Sequence, residues 1–158
     1  MNAPSAKSPT TEDRGKTPDD YGEHLQLASV LVIDDEPGMR NFLTKILEPR
    51  VKRVEQARST EQAAGILDQA HFDLVIIDNI MPQKTGLEWL EEQRRVGLFA
   101  DAIMITAYAD LDTAIQALRI GVADFVLKPF RANQILNAVA RALDRKYLRR
   151  ENYLLKHE

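Results

Sequence analysis

Four short apolar runs, each closing on a residue with chemistry to offer, constrain this chain more than any other feature. Residues 30–33 (Val-Leu-Val-Ile) end on Asp34 and Asp35, and residues 74–77 (Leu-Val-Ile-Ile) end on Asp78. Residues 102–105 end on Thr106, and residues 125–127 end on Lys128. Runs without polar alternation fit strands buried on both faces, which means a parallel sheet covered by helices on each side. In an open parallel α/β sheet the C-terminal ends of the strands lie side by side, and ligands bind there. Three carboxylates, a hydroxyl and an ammonium should therefore converge on one acidic pocket. Such a pocket suits a hard divalent cation and a phosphoryl group.

Helical spacing fills the gaps between these runs. Met39, Phe42, Leu43, Ile46 and Leu47 repeat at helical intervals until Pro49. Residues 51–54 give a weaker strand, and Ser59 can cap a helix bearing Ala63, Ile66, Leu67 and Ala70. A loop with Pro82 and Gly86 leads to a helix carrying Leu87, Leu90 and Val96, with Trp89 in a packing role. Asp110 can cap the next helix, whose apolar residues are Ala114, Ile115, Leu118 and Ile120. The expected fold is α/β and doubly wound, with five strands alternating with five helices.

The ends of the chain differ from its middle. Residues 1–24 hold Pro4, Pro9 and Pro18 among small polar and charged residues, a composition unable to offset ordering entropy. They read as a disordered tail. The last helix should begin near residues 131–133 and meets no breaker before Glu158. At 1.5 Å per residue it would be about 40 Å long, and only its first turns can cover a five-stranded sheet. Leu136, Val139, Ala140 and Leu143 suit that task. Tyr147, Leu148, Tyr153, Leu154 and Leu155 then lie among Arg145, Lys146, Arg149 and Arg150, a pattern suited to a helical linker or a dimer contact.

Composition excludes several classes. There is no cysteine, so neither a disulfide framework nor a thiolate metal site exists, which is compatible with a reducing cytoplasm. No apolar run approaches the roughly 20 residues that span a bilayer, and the N-terminus has no signal-peptide core. A net charge of −3 gives no general reason to bind nucleic acid.

Each candidate residue is ordinary alone. Paired acids often cap a helix, and Asp34 and Asp35 repel each other unless a cation intervenes. Asp78 can hold a metal or act as a nucleophile, or simply form a turn. Lys128, whose backbone Pro129 restricts, offers a compact charge for a phosphate oxygen. Thr106 offers a hydroxyl. Their joint placement at strand ends is what no duller account predicts.

The four segments, in this order and spacing, resemble a response-regulator receiver domain of two-component signalling over about residues 28–145. Val-Ile-Asp34-Asp35-Glu36 resembles its acidic pair, and Asp78-Asn-Ile-Met81-Pro82 with Gly86 resembles the segment around its phosphorylated aspartate. Met-Ile-Thr106-Ala107-Tyr108 and Phe125-Val-Leu-Lys128-Pro129 resemble its switch threonine and its lysine with switch aromatic. The resemblance is greatest to receivers of NtrC-type (sigma-54-dependent) transcription activators. It implies a flavodoxin-like sheet of strand order 2-1-3-4-5 with an extended C-terminal helix.

It also implies that Asp78 accepts a phosphoryl group from a sensor histidine kinase. Mg²⁺ would be held by Asp35, Asp78 and the Ile80 carbonyl, with Asp34 acting through water. Thr106 and Lys128 would bind phosphoryl oxygens, while Thr106 and Phe125 act as the switch. The organisation implied is a tail over 1–24, a receiver over 28–145 and a helical linker over 146–158. Expected partners are the kinase and a second copy, met through the last helix or the face of helix 4, strand 5 and helix 5. Neither DNA nor membrane contact is expected within this chain, and the location implied is cytoplasmic. Asn79 and the pair Lys84-Thr85 depart from the commoner pattern without removing a needed group. The alternatives fit less well. A degenerate scaffold usually lacks one of these residues, and a Mg²⁺-dependent phosphohydrolase resembling haloacid dehalogenases needs Asp-x-Asp after the first strand.

Overall fold

The computed structural model describes residues 21–97, 100–107 and 110–156. Most of the expected tail (1–20), Tyr108 and residues 157–158 lie outside these. Five strands, β1 (Ser29–Ile33), β2 (Arg53–Ala57), β3 (Leu74–Asp78), β4 (Asp101–Thr106) and β5 (Asp124–Leu127), form one sheet. Its order is β2-β1-β3-β4-β5, and every neighbouring pair is parallel. Between and after the strands run α1 (Pro37–Leu47), α2 (Thr60–Gln69), α3 (Gly86–Arg95), α4 (Leu111–Ile120) and α5 (Ala132–Lys156).

Side chains alternate across each strand, so one run of apolar residues feeds two cores. Val30, Val32, Leu74, Ile76, Ile103 and Ile105 face α1 and α5. Leu31, Ile33, Val75, Ile77, Ala102 and Met104 face α2, α3 and α4, where Trp89 is buried as expected. Every residue of β3 is buried, and each such Val, Leu or Ile contributes about 1.5–3 kcal/mol. The register sets Asp78 beside Ile105 and Thr106 beside Leu127, so the strand ends line up along one edge.

Local signals behave as their chemistry dictates. Ser59 Oγ accepts from Gln62 N at 3.1 Å, and Asp110 Oδ1 accepts from Thr113 N at 2.7 Å. Gly121, at φ +83°, closes α4 in the left-handed conformation that glycine tolerates.

Three expectations need correction. The second strand runs over Arg53–Ala57 rather than 51–54. It is an edge strand, so Glu55 and Gln56 are tolerated where only backbone pairing and half-burial are required. Val96 is not part of the apolar face of α3. It sits past the last helical turn, 78% exposed. Residues 21–24 do not belong to a tail: Tyr21 is buried, and a short 3-10 helix, Glu23–Leu27, packs Leu25 into the α1–α5 core. His24 stacks on Tyr147 with ring centroids 3.9 Å apart and bonds Asp144 Oδ1 at 2.8 Å.

The long last helix is held along the opposite edge of the sheet. Arg141 pairs with Asp124 at 2.8 Å, and Arg145 donates to the Ala123 carbonyl at 2.6 Å. Lys146 reaches Asp73 at 3.2 Å, and Arg149 takes both oxygens of Asp101 at 3.1 and 2.9 Å. All four partners lie at the N-terminal ends of strands. Basic residues that looked like linker are thus bound to the domain.

Candidate functional site

Asp78 is the last residue of β3 and 5% exposed. Its Oδ1 accepts from Ile80 N at 2.9 Å, and its Oδ2 accepts from the Lys128 ammonium in a close ion pair. Lys128 follows β5, its peptide bond to Pro129 is cis, and its N–H donates to the Thr106 carbonyl at 2.9 Å. Burial alone would lower the Lys128 pKa, but the Asp78 hydrogen bond and the charges of Asp78, Asp34 and Glu36 raise it overall. The ammonium is therefore firmly protonated.

Asp34 follows β1 and is 2% exposed. Its Oδ1 accepts from Glu36 N at 2.8 Å, and its carbonyl accepts from Arg40 Nη1 at 2.7 Å. The side chain's pKa is pushed up to about 6, chiefly by burial and further by the charges of Asp78 and Asp35. The Glu36 N–H and Lys128 oppose the rise. Asp35 is exposed at the mouth. Thr106 ends β4 fully buried, and the small, exposed Ala107 after it leaves the pocket open. Ile80 has an exposed side chain.

Phe125 is half-buried against the α2–α4 core and lies opposite Met104 in the β4–β5 register. It lines a cavity of about 410 Å³ with Ala117, Leu118, Val122 and Leu127. The structure thus gathers Asp34, Asp78, Thr106 and Lys128 at one edge, with Asp35 at its rim and Phe125 one layer away.

Among the described residues no three His, Cys, Asp or Glu side chains stand together as a ready-made metal cage. Mg²⁺ does not need one, since it takes one or two carboxylates and keeps several waters. The donors present are hard oxygens. The pKa of Asp34 is raised chiefly by burial and further by the charges of Asp78 and Asp35, and a divalent cation beside it would favour its charged form.

Residues 30–140 match the sequence profile of the response regulator receiver domain. The chain belongs to that family. The receiver is 32% identical over 122 residues to the regulatory protein AtoC of Escherichia coli (strain K12), covering 77% of this chain and 26% of AtoC. It is 36% identical over 113 residues to the response regulator protein PilR of Pseudomonas aeruginosa, covering 72% and 25%. The receiver thus spans about a quarter of the length of these relatives. Among solved structures it resembles a receiver domain from Clostridium thermocellum, with TM-score 0.70 and 32% identity over 77% of this chain and 98% of that one. A CheY-like receiver from Methanospirillum hungatei aligns with TM-score 0.73 and 25% identity, covering 78% and 98%.

Sequence reasoning missed Arg40 at the receiver site and named Gly86 in its motif without a physical reason for it. Arg40 in α1 holds the Asp34 carbonyl, and a lone Arg on a helix carries no signal of that. Gly86 looked like a turn residue, yet a Cβ there would stand 2.7 Å from the Asp78 carbonyl oxygen. It is a close approach of α3 to the acidic loop.

Proposed function

We propose that this receiver takes a phosphoryl group onto Asp78 from the phosphohistidine of a sensor histidine kinase, and that the modified domain controls a transcriptional output. The observation that carries this is the meeting of buried Asp78 and half-buried Lys128, 50 residues apart, in an ion pair beside Asp34 and Thr106. In the transfer an Asp78 carboxylate oxygen forms the new P–O bond as the P–N bond of the phosphohistidine breaks. Lys128 already pairs with the acceptor carboxylate and would bind a phosphoryl oxygen, while the Thr106 hydroxyl would bind another. Asp35, Asp78 and the Ile80 carbonyl would hold Mg²⁺, with Asp34 acting through water. When bound, that ion neutralises charge on the transferring group. The domain thus promotes only its own phosphorylation and dephosphorylation.

An open pocket beside Lys128, lined by Met39, Phe42, Pro129 and Phe130, offers an apolar rest for the kinase segment that carries the histidine. Thr106 and Phe125 would relay the change to the face of α4, β5 and α5, where Leu111, Leu118 and Leu127 are exposed. A second copy would meet either this face or the exposed end of α5. The receiver proper then covers residues 28–145 together with the packed segment 21–27 and the stretch of α5 up to Arg149 that is tied to the strands, and the exposed end of α5 beyond it would serve as a linker.

Intact mass after incubation with acetyl phosphate and Mg²⁺ tests the acceptor. One phosphoryl adduct on the wild type, absent from Asp78→Asn and from chelator-treated protein, is the expected result. The same adduct on Asp78→Asn would overturn the assignment.

A further inference from the structure

Asn79, noticed in the sequence only as a departure from the family pattern, occupies an unusual position in the structure. The first turn of a helix has N–H groups with no partner inside the helix. In α3, Glu88 N is satisfied by Thr85 Oγ1 at 3.1 Å. The two preceding donors both go to Asn79: Gly86 N to its carbonyl at 3.0 Å, and Leu87 N to its side-chain Oδ1 at 3.1 Å. Asn79 N in turn donates to the Ile105 carbonyl at 2.9 Å, one residue before Thr106. One residue therefore ties the start of α3 to the end of β4, and it stands between Asp78 and Ile80.

We infer that Asn79 is a positioning residue of the phosphoryl site, fixing the Ile80 carbonyl and the Asp78 carboxylate relative to Thr106 by clamping the loop to α3. This rests on the reading of Asp78 as acceptor and Ile80 as a metal ligand. An apolar side chain of similar size keeps the backbone bonds but leaves Leu87 N, in a buried residue, without its acceptor. The loop or the first turn of α3 must then shift, and with it the Ile80 carbonyl. A carboxylate at the same place still accepts from Leu87 N and sits favourably at the positive end of the helix.

The test uses the full chain as wild type, Asn79→Leu, Asn79→Asp and Asn79→Ala, the last standing in if the leucine variant does not fold. Each is titrated calorimetrically with Mg²⁺ alone, and each is followed by intact mass for adduct lifetime after loading from acetyl phosphate. Thermal melts run alongside. Loss of the acceptor should weaken Mg²⁺ binding about tenfold, in line with the cost of an unmet buried donor. It should also change the adduct lifetime. Asn79→Asp should bind Mg²⁺ at least as tightly as the wild type. Wild-type Mg²⁺ affinity and adduct lifetime in Asn79→Leu, with only the melting temperature lowered, would overturn the inference and leave a simple helix cap. So would absence of Mg²⁺ binding by the wild type. A wild type that binds Mg²⁺ but takes no phosphoryl group would instead overturn the acceptor reading, and the Mg²⁺ titrations would still decide the role of Asn79.

Discussion

Gly86 lies against the backbone of Asp78 with no room for a side chain. A Cβ would meet the Asp78 carbonyl oxygen at 2.7 Å and the Asn79 Cα at 3.1 Å, and neither is a flexible side-chain end. The first turn of α3 is thus seated directly on the loop that follows Asp78.

Gly86→Ala should accordingly cost about 1–3 kcal/mol of stability, the usual range for a forced backbone shift in a packed region. It should also slow adduct formation on Asp78. Urea unfolding and intact mass check the two effects, and wild-type values in both would show that α3 can retreat freely.

Lys128→Met should abolish the adduct and destabilise the protein by roughly 3 kcal/mol, because a buried carboxylate loses its partner. Added Mg²⁺ should restore more stability to this variant than to the wild type. Equal Mg²⁺ effects on the two melting temperatures would show that the ion does not share the Asp78 charge.

Leu25→Ala should lower stability by about 3 kcal/mol, as for other filled core positions. A chain cut at residue 28, where the strand pattern begins, should melt well below the full chain. Unchanged melting would show that Tyr21 and Leu25 merely lie on the surface of α5.

Asp73 links the start of β3 to α5. Burial acts to raise its pKa, but the Ser29 N–H and Lys146 outweigh that and hold it below the usual carboxylate value. A pKa depressed on folding gives stability that is present above the unfolded value of about 3.9 and is lost as pH falls through the folded value. Below pH 4 the wild type should lose stability more steeply than Asp73→Asn. Parallel pH profiles from denaturant melts would refute this.

A phosphoryl mimic should shift the protein from monomer toward dimer. The exposed Leu148, Leu154 and Leu155 near the end of α5 are the residues this uses. Leu148→Asp with Leu155→Asp should leave sedimentation unchanged by the mimic, and a dimer that persists in the double variant would move the contact to α4 and β5.

What could be read from the sequence follows from where side chains face. β1, β3, β4 and β5 are apolar on both faces and end on polar groups, so their limits and the gathering of Asp34, Asp78, Thr106 and Lys128 were legible. The edge strand β2 was displaced because half-buried Glu55 and Gln56 interrupt its pattern. Leu25 was missed because one buried leucine beside a Pro-rich tail has no periodic partner. The tertiary roles of Arg40, Asn79 and Gly86 lie in backbone contacts across elements, which no local pattern encodes.

The clamps on α5 and the Asp78 carboxylate lie at opposite edges of the sheet. Asp73, Ala123, Asp124 and Asp101 mark where strands enter, whereas Asp78 and Thr106 mark where they leave. A five-residue strand is about 16 Å long. No group at the phosphoryl pocket can therefore touch the far end of α5 directly. On the proposed reading, a signal from Asp78 to that end would have to cross the full depth of the domain as a change in how β4, β5 and α5 pack, and the bonds of Arg141, Arg145 and Arg149 at the start of those two strands are where it would arrive.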